Sequence, residues 1–291
     1  MIPSTLPPPL LAALLALTTA ATGSVMNCLI RVVADELHPF EIAFFRNLFG
    51  FLTILPFALW SGIATFRAHR PGRLALAAFV NLFSMMSFFS AVALLPLNDL
   101  TALSFTQPLF QTVGAALLLG EAVRRWRWIG TLLGFLGVLI VARPGGDAFT
   151  PASLLVLFGA ATYAAVSLII KSVADRESSI TTVLYVSGLI SLMSLPVAAT
   201  VWQWPSLQAL LLMAAIGALG TAGWFAFAKA FQLADASALA PYDFMRLPFV
   251  AVPAWLFFAE VPDLWTWVGA AVIFGSSAVV TRFEARAAGK A

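Results

Sequence analysis

Runs of about 20 apolar residues recur from one end of the chain to the other, and no other feature restricts its fold so sharply. A helix needs roughly 20 largely apolar residues to cross about 30 Å of hydrocarbon. Ten such runs can be read, over about 10–30, 40–60, 74–94, 99–119, 126–143, 151–171, 180–201, 207–230, 237–259 and 264–281. With 61% hydrophobic and only 10% charged residues, the remainder is too short for a separate soluble domain. The breaks between runs, such as Ser61 to Arg73 and Lys171 to Ser179, carry Gly, Pro and charge and read as loops. Barrel strands would be about 10 residues long and would alternate, so run length selects helices. Residues 1–11 hold no Lys or Arg and the first run continues through Ile30, which favours an uncleaved first span over a secretory signal. The expectation is an all-α integral membrane protein with ten transmembrane helices.

Basic residues set the orientation. With the N-terminus in the cytoplasm, that side receives Arg67, Arg70, Arg73, Arg124, Arg125, Arg127, Lys171, Arg176, Arg282, Arg286 and Lys290, and the opposite side only Arg31 and Arg143. This asymmetry places both termini in the cytoplasm. It also accounts for the net charge of +3, so no nucleic-acid surface is read from it.

The chain repeats itself. Glu121, Trp126, Trp128 and Gly130 match Glu260, Trp265, Trp267 and Gly269 at one offset, 139 positions on, and the register holds ungapped from Leu100 and Leu239 to Arg143 and Arg282. An offset of 140 lays Arg31–Asp35 on Lys171–Asp175 and Pro56 on Pro196. Five spans is an odd number, so the second copy enters the membrane from the other side. The first copy keeps Arg124, Arg125 and Arg127, whereas the second has lost them and carries Asp263. The reading is two inverted-topology five-helix repeats, residues 1–145 and 146–291, which create equivalent conformations open to either side of a midplane site.

The Leu119–Gly120–Glu121 motif, the Trp-(Ile/Val)-Gly that follows it and the glycine pattern Gly134 to Val138 resemble the EamA-type members of the drug/metabolite transporter superfamily. In the second copy Ile273 and Ser276 replace those glycines. Abundant Phe and short loops make the chain most similar, within that superfamily, to the YddG-type bacterial exporters of aromatic amino acids. The resemblance implies a secondary transporter exporting amino acids, chiefly aromatic ones, by alternating access across the bacterial inner membrane. It also implies that spans five and ten lie behind the pathway.

Charge at bilayer depth costs about 2.5–3.5 kcal/mol on insertion scales and is retained for a partner or for function. Asp243 and Arg246 stand three apart in the ninth run, about 60° from each other on a helix and able to pair. Pro241, Pro248 and Pro253 surround them, so the segment from Ala240 to Pro248 is expected to be kinked or broken, lining a cavity or locking helices through an internal ion pair. Arg46 has Glu41 at the start of its own run, which balances a structural against a functional role; Lys229 is expected to snorkel to the cytoplasmic boundary. Charge coupling falls to Asp243, Arg46 or Lys229. Glu121 and Glu260, at helix ends, are expected to organise turns.

Asn27, Asn81, Gln107, Tyr163 and Tyr242 are expected to be buried at mid-span, as helix-to-helix hydrogen bonds or as substrate contacts. Met86 and Trp224 can stack on an aromatic ligand, and Arg246 can face its carboxylate. Gly130, Gly134 and Gly137 form one small face for helix packing.

Catalytic constellations are missing from the sequence. His38 and His69 fall in loops, no H-E-x-x-H or G-x-S-x-G occurs, and the lone Cys28 has no neighbouring His. No ATP-binding G-x-x-x-x-G-K-[ST] is present either, so primary pumping by this chain alone is not expected. No enzyme, no cofactor and no metal are expected. The expected partners are a small-molecule substrate and the lipid bilayer. An organophosphate or nucleotide-sugar exchanger, or a passive channel, stands as the alternative.

Overall fold

The computed structural model describes residues 7–92, 94, 103–142, 150–249, 252, 256 and 264–288, and among them no strand occurs. The helices are α1 (Pro8–Val33), α2 (Pro39–Trp60), α3 (Pro71–Val92), α4 (Gln107–Leu118), α5 (Arg125–Ala142), α6 (Pro151–Val173), α7 (Ser179–Ala199), α8 (Leu207–Leu233), the short α9 (Ala236–Leu239) and α10 (Leu264–Ala288). Six segments, Pro8–Val33, Pro39–Trp60, Pro71–Phe88, Ala152–Val173, Ser179–Ala199 and Leu207–Leu233, are long and apolar enough to cross a membrane. Bare apolar side chains such as Trp60 (90% exposed), Trp204 (87%) and Leu117 (77%) fit a lipid surround.

Helix starts follow local chemistry. Pro8, Pro39, Pro71 and Pro151 each occupy a first helical position, where a missing N–H costs nothing. His38 caps α2: its Nδ1 accepts from Phe40 N at 3.3 Å while Glu41 Oε2 accepts from His38 N at 3.1 Å. Ser178, 140 positions on, caps α7 by accepting from Thr181 N at 3.0 Å. Gly120 ends the fourth run in the left-handed region, φ +66°, which a side chain would resist.

The principal helix pairs are α1 with α8, α3 with α6, α2 with α7 and α5 with α10. The first two exchange roles when the halves are exchanged, and the last two pair a helix with its own counterpart. The connections are clasped in the same reciprocal manner. Glu41 Oε1 accepts from Gln203 N and Glu36 Oε1 from Ser206 N, both at 2.6 Å, so the α1–α2 turn holds the α7–α8 connection. Conversely, Glu177 accepts from Arg70 N, and Thr181 Oγ1 donates to Thr65 O at 3.0 Å.

The ninth run is broken, as its prolines led one to expect. One turn of α9 passes into a 3-10 segment, Ala240–Met245, and helix resumes over 246–249. The expected start of the fourth span and the end of the ninth lie outside the described residues.

Candidate functional site

Breaking a span frees backbone groups that lipid cannot satisfy, so partners must be built in. Ser24 Oγ of α1 donates to Arg246 O at 3.0 Å, and Ser277 Oγ of α10 reaches Pro241 O at 3.4 Å. Room for the segment comes from the glycine face of α5: a Cβ on Gly130 would collide with Val280, and one on Gly134 with Phe244. The glycines thus pack against α10 and seat the break.

At that break the charges converge. Arg246 Nη2 lies 3.3 Å from Asp243 Oδ1, and Gln107 Nε2, at the start of α4, donates to Asp243 Oδ2 at 3.1 Å. The offset of 139 superposes Gln107 on Arg246, so equivalent positions of the two copies meet at one carboxylate. Arg246 Cζ also sits 5.9 Å from the centre of the Tyr163 ring on α6, a cation–π arrangement. Arg46 of α2 is in electrostatic reach of both Arg246 and Tyr163. Two guanidiniums, one carboxylate, an amide and a phenol therefore share one neighbourhood.

Arg46 opens onto a cleft between α2, α7 and α8. Its walls include Asn47 and Gly50 from α2, Val186, Ser187 and Ile190 from α7, and Gly217, Thr221 and Trp224 from α8, which leave it narrow and partly open. Positions 46 and 186, 47 and 187, and 50 and 190 are 140 apart, and all six line this cleft. It lies where the two copies face each other. Gly217 makes the approach possible, since a Cβ there would stand 2.8 Å from Gly50 N.

Several sequence expectations find other settings. Glu41 does not serve Arg46; capping α2 and holding Gln203 N occupy its carboxylate. Tyr242 is buried, its hydroxyl sharing a hydrogen bond with Thr281 of α10 and its ring packing with Ala13 and Val280. Asn27, expected to be buried, is exposed, as is Arg31 one turn on, because it lies on an outward face of α1 while Met26 and Cys28 beside it are buried. Asn81 is buried in α3, three residues before Ser84, whose Oγ donates to Gly159 O at 2.8 Å. Met86, on the same helix, is half-buried. Lys229 donates to Gln232 Oε1 at 3.0 Å near the end of α8.

Glu121 does organise a turn, and the turn belongs to the other copy. Its Oε1 accepts from Ala236 N at 2.8 Å, and its Oε2 accepts from Ser237 N at 3.0 Å and Ser237 Oγ at 2.7 Å. Arg127, one of the residues assigned to orientation, bonds Asp235 Oδ2 at 2.9 Å and Ser237 Oγ at 2.8 Å. Sequence reasoning missed this contact and that of Ser24, because Ser and Arg near a helix end carry no mark of a distant partner. Glu260 lies outside the described residues.

Apolar helices packed around a cleft that holds a guanidinium describe a membrane protein, and its relatives specify the class. The chain belongs to the EamA-like transporter family, whose model matches it twice, over residues 10–143 and 150–282. It is 32% identical over 277 residues to the S-adenosylmethionine uptake transporter of Rickettsia bellii, covering 95% of this chain and 94% of that one. It is 33% identical over 283 residues to the riboflavin transporter of Vibrio cholerae (96% and 95% covered), and 29% identical over 277 residues to a pseudopaline exporter of Pseudomonas aeruginosa (92% and 95% covered). A solved crystal structure shares the fold, with a TM-score of 0.82 over 94% of this chain and 98% of that one at 19% identity. The protein is a multi-pass transporter of the bacterial inner membrane and not an enzyme. These relatives are named for S-adenosylmethionine, riboflavin and pseudopaline, so the resemblance is carried at the level of the superfamily and not of the aromatic amino-acid exporters.

Proposed function

We propose that the protein is a secondary carrier of metabolites that join an amino-acid head group to a flat ring, with S-adenosylmethionine as the first candidate and aromatic amino acids as the second. It carries them by alternating access between two inverted five-helix repeats, residues 1–145 and 146–291, which make ten spans with both termini in the cytoplasm. The reciprocal helix pairing and the positive-inside asymmetry support that arrangement. The observation that carries the substrate reading is the Asp243–Arg246–Gln107 cluster at the broken ninth span, with Tyr163 beside it. Two guanidiniums, Arg46 and Arg246, beside a single carboxylate, Asp243, suit the carboxylate of an amino-acid head group, and Tyr163 and Trp224 offer ring faces to an aromatic or cationic body. The relative named for S-adenosylmethionine uptake supports the order of candidates.

Counterflow tests this. Proteoliposomes preloaded with unlabelled S-adenosylmethionine, phenylalanine, tryptophan, riboflavin or a sugar phosphate are given the same compound in labelled form. Saturable entry of S-adenosylmethionine or the aromatic amino acids is expected, lost in Arg246→Ala protein that still reaches the membrane folded. Undiminished counterflow by Arg246→Ala, or counterflow of riboflavin or the sugar phosphate alone, overturns the reading.

A further inference from the structure

Cations inside a membrane protein are normally spoken for, and the two guanidiniums of this neighbourhood differ in that respect. Arg246 has Asp243 at 3.3 Å and the Tyr163 ring beneath it. Asp243 is in turn taken on both oxygens, by Arg246 and by Gln107. Arg46 has no hydrogen-bond or ion-pair partner among the described residues; the Tyr163 phenol is the larger of its electrostatic neighbours, and the other is a second cation, Arg246. The side chain is only partly accessible, and no carboxylate lines the cleft it enters. Glu41, the acid nearest in sequence, is spent on His38 N and Gln203 N. A guanidinium held at bilayer depth without an anion is costly, and the cost is removed when an anion arrives.

We infer that Arg46, not Arg246, is the docking group for the substrate's anionic end, and that this anion is a carboxylate. The inference rests on the reading of the cleft as the transport cavity. Charge counting selects the chemistry. Arg246 and Asp243 pair with each other, leaving the guanidinium of Arg46; a carboxylate end pairs with it one for one, whereas the second charge of a phosphate dianion would have no cation beside it in a low-dielectric site. The planar guanidinium can hold both carboxylate oxygens at once. Around it, Asn47, Ser187 and Thr221 supply polar contacts, and Val186 and Trp224 receive the rest of the molecule. Arg246 is left to hold Asp243 in place at the break.

The experiment measures thermal stabilisation of purified protein in lipid nanodiscs by matched ligands: phenylalanine against phenylalaninamide, S-adenosylmethionine against methylthioadenosine, and phenylpropionate against phenyl phosphate. Wild type is expected to respond to each carboxylate at a concentration at least about tenfold lower than to its partner. Arg46→Met is expected to erase that preference and Arg46→Lys to keep part of it. Ligand-free Arg46→Met should melt at or above the wild-type temperature, because it removes a cation without a partner, whereas Arg246→Met should melt lower by stranding Asp243. The inference is overturned if wild type shows no preference for the acid in any pair, if Arg46→Met retains the preference, or if Arg46→Met melts as low as Arg246→Met. Should every counterflow assay fail while the Arg46-dependent preference persists, the carrier reading falls and the anion site stands.

Discussion

Replacing Glu121 by alanine is the sharpest structural test, because the magnitude can be worked from the contacts. The carboxylate accepts three hydrogen bonds, from Ala236 N (2.8 Å), Ser237 N (3.0 Å) and Ser237 Oγ (2.7 Å), and neither Ala236 nor Ser237 has any exposed surface. Hydrogen bonds to a charged group contribute about 1.5–3 kcal/mol each, and a buried N–H left bare costs a further ~1–3 kcal/mol. Two offsets reduce the sum. Ser237 Oγ keeps its bond from Arg127 Nη1 at 2.8 Å, and Glu121 itself is only half-buried, which lets water reach the vacated space. The expected net loss is about 3–5 kcal/mol, or roughly 6–20 °C of melting temperature at ~2–4 °C per kcal/mol for a chain of this size. Glu121→Gln keeps one acceptor and should lose about half as much. Thermal unfolding in nanodiscs, followed by tryptophan fluorescence, reads both variants. Glu121→Ala melting within about 2 °C of wild type would refute the assignment of this glutamate as the anchor of α9.

Other expectations follow from single contacts. A Cβ on Gly137 would stand 2.6 Å from Ile273 Cγ1 and 3.0 Å from Gly269 O, so Gly137→Val should destabilise the α5–α10 pair by about 2–3 kcal/mol. Gly23→Ala, where nothing lies within 4 Å, serves as the control, and equal melting temperatures for the two variants would refute the close approach. Tyr242→Phe removes the hydrogen bond with Thr281 and should cost about 1 kcal/mol in unfolding with the transport KM unchanged; a raised KM would place Tyr242 on the substrate instead. Lys171→Met deletes the bonds to Phe231 O (3.0 Å) and Ala234 O (2.7 Å) and should cost about 1–3 kcal/mol. Unchanged stability there would mean that water caps α8 equally well.

Much of the local structure could be read from the chain because it is decided locally. Proline at a first helical position, Ser178 and Ser206 ahead of their helices, and the glycine after α4 each act within one turn of where they stand. The broken ninth span was legible for the same reason, since Pro241 cannot donate and Pro248 follows closely. Tertiary partners were less legible. Helices apolar on every side give no amphipathic stripe to say which face meets which neighbour. Arg46 shows the consequence: Glu41, five residues away, invites a pairing, yet its carboxylate turns to a backbone amide at Gln203, and the guanidinium lines a cleft with residues of α7 and α8. Gln107 was singled out as a buried polar group, but nothing in its surroundings announced a partner 136 residues later. For Tyr242 and Asn27 the sequence supplies a polar side chain and a place within a span, and neither distinguishes a group that ties two helices from one that lines a cavity.

Between α8 and α9 the chain reverses within two residues, Ala234 and Asp235, and both arms of that corner are pinned. Lys171 holds the carbonyls on one arm and Glu121 the amides on the other, from the two separate segments that match the family. A corner held on both sides is fastened to both matched segments at once. Glu121 thereby ties the α4–α5 junction directly to Ala236, at the start of the broken segment that carries Asp243 and Arg246.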